Sequence, residues 1–257
     1  MCLILFAFQA SQRWPFIVAA NRDEAYDRPA QSAAFWLDQP QIFAGRDLQL
    51  GGTWMGLSKL GRFAAVTNFR DGLPKGLAPR SRGELVSHYL SSQQSAKNHF
   101  EQLQSKKDQY AGFSSLAGNL NELWYFSNYS PLIQSVPPGV HGLSNHLLNT
   151  PWPKVTQGKA QLTKLIQQET NSLSDDLMCL LAERELPPAS QLPDTGIGAL
   201  REKELGPKFI AVDNRYGTRA STVILIDQKG NALFREKSFS SHGQYIGEIS
   251  SEFRVTI

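Results

Sequence analysis

Leu3-Ile4-Leu5-Phe6-Ala7-Phe8 is a run of six residues without a polar side chain. In a helix, at about 1.5 Å per residue, it would make less than two turns; as a strand, at about 3.3 Å per residue, it crosses a domain core. Apolar runs this short read as buried strands. A second run, Pro15–Ala20, follows after Ala10-Ser11-Gln12-Arg13-Trp14, so the two are expected to form an antiparallel hairpin. That expectation governs the rest of the chain, because a hairpin brings its two far ends together.

The same pattern recurs. Residues 51–70 hold two further strands joined at Lys59-Leu60-Gly61, where glycine supplies the positive φ of a tight turn. Arg82 to Ser91 reads as a helix with Leu85, Tyr89 and Leu90 on one face and Ser81 as its N-cap. Ser95 to Tyr110 reads as a second helix. Strands return on either side of Asn119-Leu120-Asn121. Amphipathic helices are expected over Pro153 to Glu169 and Asp175 to Arg184, and a long surface loop over Leu186 to Gly206. The chain closes with a hairpin across Gln228-Lys229-Gly230-Asn231. Runs of strands and runs of helices, rather than strict alternation, point to antiparallel sheets with helices outside them. No repeat or linker divides the chain, so residues 1–257 are expected to form a single domain.

Composition narrows the function. The net charge is +3, and the basic residues form no stripe, so no nucleic-acid partner is expected. The densest basic patch, Arg80-Ser81-Arg82, reads as a helix entrance. Two cysteines, Cys2 and Cys179, exclude a disulfide framework and point to a reducing compartment, the cytoplasm. No apolar stretch is long enough to span a membrane, and the N-terminus lacks the basic region and cleavage site of a signal peptide. His141 and His146 are five apart in an expected loop, and His88, His99 and His242 are scattered, so no metal site is expected. Trp36, Trp54, Trp124 and Trp152 read as core or pocket wall. No P-loop, nucleophile elbow or dinucleotide-binding fingerprint is present.

The chemistry-bearing candidate is Cys2. If Met1 is trimmed, Cys2 carries a free α-amine beside its own thiol. An α-amine titrates at about 7.7–8.0, a usable general base at neutral pH. The thiol is a strong nucleophile that such a base activates. Two readings are open: this nucleophile, or a small core residue at a strand start. The hairpin sets Asn21-Arg22-Asp23-Glu24 next to Cys2. There an arginine lowers a thiol pKa and a carboxylate can hold the amine, although the same four residues could also form a solvated turn.

These blocks carry a resemblance. A cysteine after Met1, "ANRDE" at 20–24, "GGTWMGLSKLGRFAAVTNFR" at 51–70, "LSNHLLNTPWPKV" at 143–155 and "YGTRASTVILID" at 216–227 together resemble the NRDE family, also called the transport-and-Golgi-organisation protein 2 family. That layout is in turn similar to N-terminal-nucleophile hydrolases of the choloylglycine hydrolase and penicillin V acylase branch. The resemblance implies a four-layer αββα sandwich and hydrolysis of a non-peptide amide in a small molecule, without a cofactor. It implies Cys2 as nucleophile, Arg22 and Asp23 as the early Arg/Asp pair (here adjacent), Asn68 and Asn145 as oxyanion site and amine contact, and Arg219 as the late arginine. Arg219 has two open readings, a buried functional group entering the apolar run Val223–Ile226 or a solvent-facing strand start. The alternative function is a non-catalytic carrier of a lipid-like ligand or haem on the same fold, since animal members of the resembled family are linked to lipid and haem phenotypes.

Overall fold

Successive side chains of β1 (Cys2–Phe8) fall into two different cores. Ile4, Phe6 and Phe8 face one, and Leu3, Leu5 and Ala7 face another, which is why the run has no polar member. The structure, a computed structural model, describes residues 2–73 and 78–257. After β1 come β2 (Phe16–Ala25), β3 (Ala30–Phe35), β4 (Ile42–Asp47), β5 (Met55–Ser58) and β6 (Phe63–Asn68). Helices α1 (Gly83–Ser91) and α2 (Ala96–Gln104) lead to β7 (Phe113–Gly118), β8 (Leu123–Ser127), β9 (Gln134–Ser135) and β10 (Gly139–Leu143). Then follow α3 (Pro153–Gln168), α4 (Leu173–Leu181), α5 (Ala199–Glu204), β11 (Tyr216–Ile226), β12 (Asn231–Ser240) and β13 (Gln244–Arg254).

The strands make two sheets. One runs β10-β1-β2-β11-β12-β13, the other β3-β4-β5-β6-β7-β8-β9, and the named strands pair antiparallel in both. Between the sheets lies a core that includes Ile4, Phe6, Phe16, Val18, Phe43, Leu57, Phe63, Leu116, Ile224 and Phe234. Each such side chain contributes roughly 1.5–3 kcal/mol by leaving water. On the outer face of the seven-stranded sheet, Val86, Tyr89 and Leu90 of α1 and Phe100 of α2 pack on Ala64, Val66 and Phe126. On the outer face of the six-stranded sheet, Val155 and Leu162 of α3 and Leu177 and Leu181 of α4 pack on Leu3, Leu5, Ala19 and Val223. The molecule is thus an α+β, four-layer αββα sandwich of two antiparallel sheets, as the resemblance implied.

The expected hairpins form. Cys2 lies opposite Arg22, and Gly61 turns between β5 and β6 at φ 72°. Several expectations need correction. β3 and β13 escaped sequence reading because their side chains are largely exposed and carry no apolar signature. β4 and β10 are too short and too glycine-interrupted to announce themselves. The second helix stops at Gln104 rather than Tyr110, and α5 interrupts the expected loop. Arg82 rather than Ser81 is the N-cap residue of α1, although the Ser81 hydroxyl accepts the Gly83 N–H at 3.2 Å. Among the described residues no helix is long and apolar enough to cross a membrane.

Candidate active site

Antiparallel pairing places Cys2 and Arg22 side by side at the ends of β1 and β2. Strand alternation points Cys2 and Arg22 toward the space between the sheets, and Asn21 and Asp23 toward the helix layer. Asn21 is buried there, and its amide donates to the carbonyls of Leu181 (2.9 Å) and Lys208 (2.8 Å). The four residues Asn21–Glu24 therefore belong to a strand and not to a solvated turn.

The backbone of Cys2 is held from both sides. Ser144 Oγ donates to the Cys2 carbonyl at 2.9 Å, and Asn145 Oδ1 accepts the Cys2 N–H at 3.3 Å. Asn145 Nδ2 donates to the Asn68 carbonyl at 3.1 Å, and Thr67 Oγ1 donates to the Ser144 carbonyl at 2.7 Å. Since Asn68 ends β6 in the opposite sheet, Ser144 and Asn145 tie the strand of Cys2 to the facing sheet. Both are buried, with Asn145 fully enclosed. Buried polar groups with every partner in place define a position sharply.

Five of the six expected residues, Cys2, Arg22, Asp23, Asn68 and Arg219, line a cavity of about 420 Å³. Asn145 stands behind Cys2, outside the cavity wall. Arg219 sits where the β2–β11 register slips between Thr218 and Ala220. The extra residue of this bulge lets its side chain turn along the cavity, where Nη1 donates to the carbonyls of Ala25 (2.8 Å) and Arg28 (2.9 Å). Arg219 is therefore a half-buried, backbone-held group lining the cavity, between the two readings that its sequence left open.

Electrostatics follow from burial. Burial pushes the Cys2 thiol up, and the Asp23 carboxylate adds to that, while Arg22 pulls the other way. Burial also raises Asp23, opposed by Lys154, by a 2.7 Å hydrogen bond from Thr218 Oγ1 and by Arg22. Lys154, at the start of α3, is pushed down to about 8 by burial, and Asp23 partly restores it. Its Nζ donates to the Leu205 carbonyl at 3.0 Å. Glu236, on the cavity wall, is raised by burial while accepting the Ala33 N–H at 2.8 Å.

Sequence reading missed several members. Arg80 and Arg82, read as a helix entrance, line the cavity. Lys154, Ser144 and Glu236 went unremarked, although the first two lie inside quoted blocks. His141 and His146 each bond locally, to Asn149 and Thr150, and His141 lies in β10 rather than in a loop. Among the described residues no three His, Cys, Asp or Glu side chains converge as a metal site would need. Met1, whose removal the nucleophile reading requires, lies outside the described residues.

Comparison with known proteins gives consistent relatives. A family model described as "Transport and Golgi organisation 2" matches residues 1–241. The mouse Transport and Golgi organization 2 homolog is 35% identical, and the match covers 93% of this chain and 93% of the relative. The human homolog is 34% identical with the same 93% coverage of each, and the Drosophila melanogaster protein is 26% identical over 95% of each chain. Among solved structures, a C2A mutant of the conjugated bile acid hydrolase from Clostridium perfringens is similar at 9% identity and a TM-score of 0.45, covering 99% of this chain and 92% of that one. A Caenorhabditis elegans ortholog of N-acylethanolamine-hydrolyzing acid amidase is similar at 10% identity and a TM-score of 0.48, covering 87% and 92%.

Proposed function

This chain belongs to the Transport and Golgi organisation 2 family, and we propose that it is a cysteine N-terminal-nucleophile hydrolase of a linear, non-peptide amide in a small molecule. One observation carries this reading. Cys2 is clamped through its backbone N–H and carbonyl, and its side chain borders a cavity of about 420 Å³ together with Arg22, Asp23, Asn68 and Arg219. A core cysteine would need neither the clamp nor the cavity.

In the proposed reaction, removal of Met1 frees the Cys2 α-amine. The amine takes the thiol proton, and Sγ attacks the amide carbon. The Asn68 side-chain amide donates to the oxygen that becomes negative, a contribution of the kind worth about 10²–10³-fold in rate. The α-ammonium returns its proton to the leaving amine, so the C–N bond breaks and an acyl thioester remains. Water, deprotonated by the same amine, then releases the acid and restores the thiol. Asn145 Oδ1 holds the Cys2 nitrogen in place, so that its lone pair can face Sγ. Asp23 stabilises the ammonium that forms, and Arg22 favours the thiolate. Arg219 holds the β2–β3 turn against the cavity. The domain of residues 1–257, less the trimmed Met1, acts as one unit in this scheme. The exposed free thiol of Cys179 suits the reducing cytoplasm.

The test is the intact mass of protein made without an N-terminal tag, followed by turnover of a panel of acyl amides. Loss of Met1, cleavage of a panel member, and loss of that cleavage in Cys2→Ala are expected. A retained Met1, or a fully active Cys2→Ala variant, sinks the reading. It would leave the cavity to a carrier role, with a ligand that co-purifies independently of the thiol.

A further inference from the structure

The cavity wall is rich in guanidinium groups. Arg22, Arg28, Arg46, Arg80, Arg82 and Arg219 all line it. Three of them are neutralised by the protein itself: Arg28 pairs with Asp47, Arg46 with Asp38 and Arg80 with Glu84. The other three are not so matched. Arg22 comes no nearer a carboxylate than 3.9 Å, to Glu24. Among the described residues, Arg82 and Arg219 have no carboxylate within 4.0 Å. Among the same residues Arg82 gives one hydrogen bond, from Nη1 to the Gly112 carbonyl at 3.1 Å, and Arg219 donates from Nη1 alone. A guanidinium carries five N–H donors in a fixed fork, so most of this capacity is unspent. Of the wall's carboxylates, Asp47 belongs to Arg28, Asp23 accepts from Thr218, and Glu236 accepts from Ala33 and Thr222. Glu24 accepts the Ala25 N–H.

We propose that Arg22, Arg82 and Arg219 form an anion subsite, and that the amide cleaved at Cys2 bears a carboxylate or phosphate group that seats there. This rests on the hydrolase reading above and names the chemistry of its substrate. Glu24 is the one wall carboxylate that faces all three, 3.9 Å from Arg22 and attracting Arg82 and Arg219 from farther off, with Asp27 also acting on Arg219. Partly desolvated arginines in excess of their counter-charge are costly, and a planar oxyanion accepting forked N–H donors repays that cost. Burial disfavours the charge on Arg82 and Arg219, and the attraction of Glu24 offsets it only in part. Trp54 and Val66 add apolar wall, and the exposed Leu50 and Ile246 give an acyl chain a path outward. The substrate is therefore an amphiphile with an apolar acyl part and an anionic head.

Calorimetry on full-length Cys2→Ala protein tests this with N-octanoylglycine, N-octanoyl-O-phosphoethanolamine and the neutral N-octanoylglycinamide. At least one anion should bind about tenfold or more tighter than the neutral amide, and the tighter anion identifies the head group as carboxylate or phosphate. Adding Arg82→Gln should erase that preference, and Arg82→Lys should keep part of it, with circular dichroism confirming the fold. Equal binding of all three compounds, no binding of either anion, or an undiminished preference in folded Arg82→Gln protein overturns the subsite. The hydrolase reading fails separately. If the untagged wild type cleaves none of the three while the anion preference stands, catalysis is wrong and the subsite survives. If it cleaves the neutral amide as efficiently as the anions, the subsite is wrong and catalysis survives.

Discussion

Asn145 Oδ1 accepts the backbone N–H of Cys2 at 3.3 Å, joining residues 143 positions apart in the chain. The same side chain donates to the Asn68 carbonyl at 3.1 Å. One amide therefore sets the nitrogen of Cys2, the proposed nucleophile, against the strand that carries the candidate oxyanion donor. Asn145→Leu leaves those buried partners unsatisfied. It should cost about 1–3 kcal/mol of stability by urea denaturation, and about 100-fold in turnover if the nitrogen is the base. Asn145→Asp keeps the acceptor and should fall between. Wild-type turnover in Asn145→Leu would remove Asn145 from the mechanism.

Cys2 and Asp23 are coupled through charge. Burial holds the thiol above its ordinary value, and the Asp23 carboxylate pushes it further up. In tagged protein, where no free α-amine sits beside the thiol, alkylation by iodoacetamide should be slow at neutral pH and accelerate only in the alkaline range. Asp23→Asn keeps an acceptor for Thr218 but removes the negative charge, so the inflection should move to lower pH. Mass spectrometry of the modified N-terminal peptide reads the rate. An inflection that stays put or rises would show that the carboxylate does not act on the thiol.

Lys154 should leave a signature in stability. Its pKa is pushed down by burial to about 8 in the fold, from the ordinary lysine value of 10.5. Between those values the unfolded chain binds the extra proton, so this residue makes stability rise with pH; below about 8 that contribution is lost. Lys154→Met removes the titration. The stability of the wild type minus that of Lys154→Met, from urea denaturation at several pH values, should climb across this window. A flat difference would mean that Lys154 titrates normally.

Two glycine turns separate backbone strain from crowding. Gly61 and Gly51 both hold positive φ, 72° and 75°. A Cβ on Gly61 would lie 2.1 Å from the Thr256 carbonyl oxygen, whereas one on Gly51 meets nothing within 4 Å. Gly51→Ala should cost about 1 kcal/mol, the penalty of a left-handed residue. Gly61→Ala should cost more, up to about 3 kcal/mol, because the C-terminal segment must also move. Equal melting temperatures for the two variants would show that the Thr256 contact yields freely.

Much of this architecture is legible along the chain. Leu3 to Phe8 and Phe16 to Ala20 are apolar on both faces because each strand lies between a helix layer and a facing sheet. Once the hairpin is read, its far ends meet and bring Cys2 beside Arg22 and Asp23; the register that sets Cys2 directly opposite Arg22 belongs to the folded connection over residues 9–15. Strands with exposed faces, β3 and β13, give no such pattern, since solvent accepts almost any side chain.

The sequence by itself determined the strand pairs built from contiguous apolar runs, the Gly61 turn, and the meeting of a thiol with an arginine and a carboxylate at one hairpin end. These depend on spacing within a few tens of residues, where a hairpin has to bring its two far ends together. Only the tertiary structure decided that Asn145 backs Cys2, that Lys154 in α3 lies close to Asp23, and that Arg82, at the entrance of α1, joins Arg22 and Arg219 around one cavity. Those contacts join distant segments whose separation in sequence carries no geometric information. They are set by how the two sheets close over their shared core, where burial of Phe6, Phe16, Phe43 and Phe63 outweighs any preference of the polar residues brought together at the rim.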